Sequence, residues 1–305
     1  MKALAAFAMR GLWQASLVVV GFACLSFTVP LVGFLSSAFF ALVVLRQGTK
    51  VASMVLTASA AVVALFGVVI LGEFWMPVIY AGTLWIPVGI AAWVLRVWRN
   101  LGFSLEIVTL LTLVVVLAVY GFMGDPSGFW KGKLVLLLQP WLAASPDGFD
   151  PEALRDHLQV ISHYATGLVG AGSDLTVFMT LLLARWWQAL LFNPGGFRAE
   201  FLALRVTPKF AYAATSALVL AWLSPSVGLA ELMWNLGLVF FAVFLVVGIA
   251  VMHELLSRRS GRGFWLTGAY LLLFIVPQAT LPVAVMGLTD AWMDWRGRKV
   301  PNTGD

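Results

Sequence analysis

Charged residues are scarce in this chain. Only 11% of its 305 residues are Asp, Glu, Lys or Arg, whereas 61% are hydrophobic, and soluble domains carry about 25% charged residues. The mean hydropathy is +0.95. So few charges cannot cover this much apolar surface in water, and the composition therefore predicts an integral membrane protein with several membrane spans.

The chain also lacks the residues of common metal sites and catalytic motifs. Cys24 is the only cysteine, which excludes disulfide bonds within the chain and cysteine-based metal sites. His253-Glu254 begins like the zinc-protease motif HExxH, but Ser257 stands where the second histidine is required. There is no Walker-type phosphate loop and no GxSxG motif. The sequence thus predicts no catalytic residue, no metal and no cofactor, and it favours a protein that is not an enzyme.

The net charge of +5 comes mainly from Lys and Arg placed between apolar runs. This pattern suits the positive-inside rule and argues against nucleic-acid binding, which needs a solvated basic face. We expect the basic segments to share the cytoplasmic side of a bacterial inner membrane, with the N-terminus on that side. The residues concerned are Lys2, Arg10, Arg46, Lys50, Arg96, Arg99, Arg198, Arg205, Lys209, Arg258, Arg259 and Arg262.

Apolar runs predict an all-α, polytopic bundle of about eight transmembrane helices, because a span needs about 20 apolar residues. The whole chain, 1–305, is expected to form one membrane domain. The expected spans are two short crossings within 11–45 that break near Pro30, followed by 51–72, 74–95, 105–124, 175–192, 210–223 and 229–252. The run 264–292 contains Pro277 and Pro282. It is either one span or a hairpin of two half-length helices, and the hairpin is favoured because it returns Arg296 to the cytoplasm.

One long polar connection, 125–174, interrupts the spans. Within it, apolar side chains recur at helical spacing at Leu154, Leu158, Ile161, Ala165 and Leu168. This spacing predicts an interfacial helix that lies on the membrane surface or closes the bundle from one side.

Polar residues inside apolar runs are the candidates for a ligand-binding site, because they are costly in lipid. Arg185, Trp186 and Gln188 form one group, for which the alternative is that Arg185 snorkels to the headgroups beside belt tryptophans. Asn193 opens the sequence Asn-Pro-Gly-Gly, which is either a tight turn or an elbow that holds a ligand. Asn235 lies inside a span and needs a hydrogen-bond partner. We expect a site between the fourth, sixth and eighth spans.

The segment after this elbow is basic and amphipathic. Arg198, Glu200 and Arg205 alternate with apolar residues over 193–209, so this segment is a candidate surface for a protein partner or anionic lipid. Two hypotheses therefore stand. The chain is a solute-binding or transporter-like component without its own ATPase, or it is a membrane scaffold that docks a membrane-protein partner or lipid through 193–209.

Three motifs resemble those of the YybS-like bacterial membrane proteins, in their proteobacterial branch. They are Gly124-Asp125-Pro126 ahead of Phe129-Trp130, ARWWQALLFNPGGFR at 184–198, and GLTDAWMDWRGR at 287–298. The resemblance implies a fold similar to the substrate-binding S-components of energy-coupling-factor transporters, with a ligand held near one face of a small helical bundle. It implies no catalytic residue.

Overall fold

The computed structural model of the protein describes residues 1–144 and 151–297. These residues form helices and connecting turns without β-strands, which confirms the all-α fold. Short 3-10 or π segments at Pro30–Val32, Gly67–Leu71, Ala81–Trp85 and Pro277–Ala279 join some of the α-helices. The α-helices in chain order are α1 (Lys2–Ala8), α2 (Leu12–Leu25), α3 (Gly33–Gln47), α4 (Thr49–Phe66), α5 (Met76–Tyr80), α6 (Ile86–Trp98), α7 (Leu101–Met123), α8 (Pro126–Ala144), α9 (Pro151–Phe192), α10 (Gly196–Leu202), α11 (Pro208–Leu223), α12 (Val227–Ser257), α13 (Arg262–Ile275) and α14 (Thr280–Met293).

Six helical segments of the described chain are long and apolar enough to cross a membrane. The protein is therefore a multi-pass membrane protein. The segments are Pro30–Gln47, Thr49–Ile70, Val78–Trp98, Leu101–Met123, Glu152–Phe192 and Val227–Ser257. Two further predicted spans correspond to α2 and α11, which have 14 and 16 residues. At 1.5 Å per residue they are about 21 and 24 Å long, shorter than a hydrocarbon core of about 30 Å.

The last apolar run forms a hairpin. Helices α13 and α14 meet at an angle of 119° across Pro277, where proline removes a backbone donor and stops the helix. The chain then returns to the helix end from which it left, because Arg258 Nη2 donates to the Arg296 carbonyl at 2.5 Å. Helix α14 packs along α12 at two glycines, and a Cβ at Gly248 or Gly287 would overlap backbone atoms of the facing helix.

The connection 125–174 differs from the prediction. Its amphipathic helix is not a separate interfacial element, because α9 continues without a break from Pro151 to Phe192. These 42 residues extend about 63 Å, roughly twice the thickness of the hydrocarbon core. Helix α8 packs against α9, and Trp130 Nε1 donates to Thr166 Oγ1 at 2.8 Å. Of the predicted apolar side, Leu158 and Ala165 are buried in the bundle, whereas Ile161 and Leu168 stay exposed.

The arginines that follow the spans lie at one end of the bundle, here called the basic end. Arg96 Nη1 reaches from α6 to the Leu45 carbonyl at 2.8 Å, and the Arg46 guanidinium lies 4.2 Å from the Phe192 ring centroid. The ends of α3, α6 and α9 therefore meet there. Arg258 and Arg296 hold the ends of α12 and α14 together at this same end, because Arg296 also donates to the Leu202 carbonyl of α10 at 2.7 Å.

Candidate ligand-binding site

A sharp elbow at the basic end organises the candidate site. Helix α9 ends at Phe192, as the sequence predicts for Asn193-Pro194-Gly195-Gly196, and α10 begins at Gly196. Gly195 has φ +86°, a left-handed conformation that side chains with a Cβ rarely adopt. The chain therefore reverses within three residues and lays α10 back against α9 and α12.

This reversal brings together Arg185 and Glu200. Arg185 is 7% exposed, and its Nε donates to Glu200 Oε2 at 2.8 Å while its Nη2 contacts the other carboxylate oxygen. Arg185 therefore faces the protein and does not extend to the headgroups. The neighbouring Trp187 is also no belt residue, since it is fully buried and its ring lies 4.4 Å from that of Phe39.

Beside this ion pair lies a cavity of about 430 Å³, here called the basic cavity. Four arginines and one carboxylate line it, which leaves a strong excess of positive charge. Its lining residues are Leu45, Arg46, Leu95, Arg96, Arg99, Arg185, Gln188, Phe192, Asn193 and Glu200. Three of the five predicted ligand-binding residues, Arg185, Gln188 and Asn193, thus converge here. The cavity lies between the second, fourth and sixth predicted spans and α10, and the eighth span takes no part in it.

Several polar groups of the basic cavity have no partner of their own. Within residues 1–144 and 151–297, the side chains of Gln188, Asn193 and Arg99 make no hydrogen bond. Arg99 also has φ +52°, and it and Asp294 are the described non-glycine residues with positive φ. An arginine in this conformation is disfavoured relative to glycine or asparagine. Arg99 and Asp294 are the C-caps of α6 and α14, positions where helices commonly end in the left-handed conformation. Guanidinium groups with free donors suit a carboxylate or phosphate, which they bind in a bidentate manner.

A second, larger cavity lies on the other side of α10 and is here called the apolar groove. It measures about 730 Å³ and includes Trp186 and Arg198 among its lining. Most of its lining is aliphatic or aromatic, with Arg198 and Arg262 exposed. The residues that line it are Phe34, Met179, Leu182, Leu183, Trp186, Phe197, Arg198, Phe201, Leu202, Val246, Ile249, His253, Ser257, Arg262, Leu266 and Tyr270. The motif residue His253 pairs here with the Tyr270 hydroxyl at 2.7 Å.

Asn235 does not belong to the basic cavity. It is fully buried, and its Nδ2 donates to Tyr120 OH at 2.9 Å and to the His163 carbonyl at 2.7 Å. Its Oδ1 accepts from Gly167 N at 2.5 Å. Gly167 precedes Arg185 by 18 residues of α9, about 27 Å along the axis. One small ligand cannot contact Asn235 and Arg185 together, so the predicted set of site residues has to be divided.

Two of the three predicted interaction residues form ion pairs within the protein. Glu200 pairs with Arg185, and Arg205 pairs with Asp294 across the basic end. The hydrogen bond from Arg205 is the main cause that lowers the pKa of the Asp294 carboxyl. In the described part of the chain Arg198 is the member of the three that makes no ion pair, so it is the residue most available to an external ligand.

Sequence reasoning missed some polar residues because they lie at the ends of runs or in the long connection. Arg46, Arg96 and Arg99 were interpreted as loop charges that set orientation. Glu231 binds Tyr120 OH at 2.9 Å and His163 Nδ1 at 2.6 Å, joining α7, α9 and α12. No short-range spacing signals that network, because its members are far apart in sequence.

The three motifs each have a structural role. Asp125 Oδ1 accepts from the Ser127 hydroxyl at 2.6 Å and from Ser127 N at 3.0 Å at the start of α8, and the hydroxyl contact is the main cause that lowers the Asp125 pKa. The second motif builds the elbow. In the third, as far as Gly297, buried Asp290 and Arg296 form an ion pair at 2.6 Å, and Arg296 joins this pair to α10.

Comparisons with protein-family models, with curated proteins and with solved structures found no match to this chain. The resemblance to the YybS-like proteins and to transporter S-components therefore stays a prediction.

Proposed function

We propose that this protein is a solute-binding or transporter-like component of a bacterial inner membrane, without its own ATPase, and that it binds a small anionic solute in the basic cavity. The N-terminus and the basic end face the cytoplasm in this proposal, in agreement with the positive-inside rule. The observation that carries it is one cavity whose described lining contains Arg46, Arg96, Arg99 and Arg185 with a single carboxylate, Glu200.

Two features favour a ligand over a purely structural cluster. Arg96 is fixed by two carbonyls of α3, at 3.2 and 2.8 Å, and Arg185 is fixed by Glu200. Arg99, Gln188 and Asn193 have no such protein partner among the described residues. A preorganised cationic wall next to unused donors is the arrangement that recognises a carboxylate or phosphate.

The test uses full-length protein purified in mild detergent, with inorganic phosphate as the probe. Calorimetric titration and thermal stabilisation measure phosphate binding, and native mass spectrometry detects any retained small molecule. We expect Arg46→Gln and Arg99→Asn to weaken binding about 10- to 100-fold each, because each removes a charged donor worth about 1.5–3 kcal/mol.

Arg99→Asn also separates binding from folding. Asparagine tolerates the left-handed backbone of this position, so the unliganded variant should melt at the wild-type temperature. Arg205→Gln, which changes an arginine outside the cavity, is the matched control and should bind phosphate normally. Wild-type protein that neither binds phosphate nor retains a molecule sensitive to Arg46 and Arg99 would refute the proposal.

The apolar groove supports a second candidate function, the docking of an anionic lipid beside α10. Among the residues that the structure describes, its lining contains Arg198 and Arg262 and no carboxylate, so an acyl chain would fill the apolar part while the arginines contact the headgroup. Phosphatidylglycerol retained after purification should fall in an Arg198→Gln/Arg262→Gln variant and stay constant in Arg205→Gln. A co-purifying protein that is lost when Arg198 is changed would instead favour the scaffold hypothesis.

A further inference from the structure

A buried carboxyl lies in the middle of the bundle, away from both the basic cavity and the apolar groove. Asp174 of α9 is fully buried, and its Oδ1 accepts a hydrogen bond from the Thr112 hydroxyl. Thr112 is the central residue of α7, with 11 residues on either side. The carboxyl is therefore about 16 Å from each end of α7 along its axis, at the depth of the bilayer centre.

The second oxygen of this carboxyl lies near the hydroxyl of Thr109, one turn from Thr112. Within the described chain neither Asp174 Oδ2 nor that hydroxyl makes a hydrogen bond of normal geometry, and both are buried. The other buried carboxylates of the described chain, Asp290 and Glu106, each have a partner. Asp290 pairs with Arg296, and Glu106 accepts from Thr207 N.

Asp174 lines a cavity of about 290 Å³ between α6, α7, α8 and α9. None of the other lining residues from these elements, or from the π segment before α6, is ionisable. They are Gly82, Thr83, Pro87, Ile90, Val108, Leu111, Thr112, Val115, Val116, Val119, Trp130, Thr166, Val169, Gly170, Ser173 and Val177. Several of them, including Leu111, Val115 and Val169, are exposed on the apolar surface, so the cavity opens towards lipid.

We infer that Asp174 is a proton-binding site at the centre of the bundle. A lone carboxylate at this depth has no cation to offset the loss of its hydration, which costs several kcal/mol or more. A bound proton removes the charge and turns the unpaired oxygen into a hydroxyl that can donate to a neighbour. Any step that ionises Asp174 must then move a proton through part of the membrane. This inference does not depend on what the basic cavity binds.

Infrared spectroscopy of the purified, reconstituted protein tests this directly. We expect the wild type at neutral pH to show the C=O band of a protonated carboxylic acid, and Asp174→Asn to lack it. Asp125→Asn, which changes an exposed carboxyl at the end of α7, is the matched control and should keep the band. A spectrum without the band, or with a band that persists in Asp174→Asn, would overturn the inference.

Chemical labelling covers the case in which Asp174→Asn does not fold. Dicyclohexylcarbodiimide is lipophilic, and a protonated carboxyl adds across its C=N bond to give an acylurea from which no atom is lost. Peptide mapping of labelled wild-type protein should place the adduct on Asp174, and labelling should remove the infrared band. A band that survives complete labelling of Asp174 would assign the proton to another group and overturn the inference.

Discussion

Asn235 and the basic cavity both present polar side chains within an apolar bundle, but the two regions differ in whether these side chains have hydrogen-bond partners in the protein. At Asn235 the amide donors and the carbonyl all bind groups of the protein, and α7, α9 and α12 are joined through them. In the basic cavity, Gln188 and Arg99 line the open space and make no side-chain hydrogen bond within the described chain. A polar residue in an apolar run therefore signals a ligand only where the fold leaves its hydrogen bonds unmade. Where the fold completes them, the residue holds helices together.

The largest expected effect comes from the same substitution at the two amides. Asn235→Leu should lower the free energy of unfolding by about 2–4 kcal/mol, because it removes the hydrogen bonds that join Asn235 to Gly167 N, Tyr120 OH and the His163 carbonyl. Gln188→Leu should change it by no more than about 0.5 kcal/mol, since no protein partner is lost. Unfolding in mixed detergent–SDS micelles measures both. Equal losses would remove the distinction between the two regions.

An intermediate effect is expected at Glu200, the acidic residue of the basic cavity. Glu200→Gln removes the charge that competes with an anion for Arg185, so phosphate affinity should rise about 3- to 10-fold. Stability should fall, because buried Arg185 keeps only one of its two oxygen acceptors and loses its counter-charge. Calorimetric titration measures the change in phosphate affinity, and thermal unfolding of the same sample measures the change in stability. A drop in affinity would mean that Glu200 positions Arg185 for the ligand.

The smallest effect is expected outside both regions, at the exposed pair of Arg205 and Asp294. Because the Asp294 pKa is lowered in the folded protein, the pair stabilises the fold above the unfolded pKa, near 3.8, and this contribution is lost as the pH falls through the folded pKa. Thermal unfolding over a pH series should show Arg205→Gln slightly less stable than wild type at neutral pH and equal to it in acid. A difference that persists in acid would contradict this linkage.

Much of the fold follows from local signals that the sequence carries. The all-α class, the helix breaks at Pro30 and Pro277 and the end of α9 before Pro194 were predicted, because proline and glycine act on their own backbone. The continuity of α9 through residues 151–192 was not predicted. Its apolar spacing matches an interfacial helix equally well, and only the packing of α8 against it decides between the two.

The candidate site was predicted in part. Arg185, Gln188 and Asn193 share one helix end, and periodicity is enough to group them. Arg46, Arg96 and Arg99 of the α3 and α6 ends line the same cavity. Asn235 lies towards the other end of the bundle and is not part of this site. Which of these residues lie close together depends on how the helices pack against one another. No short spacing within a single sequence encodes that packing.

The sequence by itself determined that this is a multi-pass helical membrane protein with its positive charge concentrated in the connections, because hydropathy and charge act residue by residue. The tertiary structure decided which polar groups are satisfied and which are left open. That outcome is set by the partners that come from distant helices. In the folded protein Asn235 joins three helices, Arg99 and Gln188 line a cavity, and Asp174 lies buried without a counter-ion.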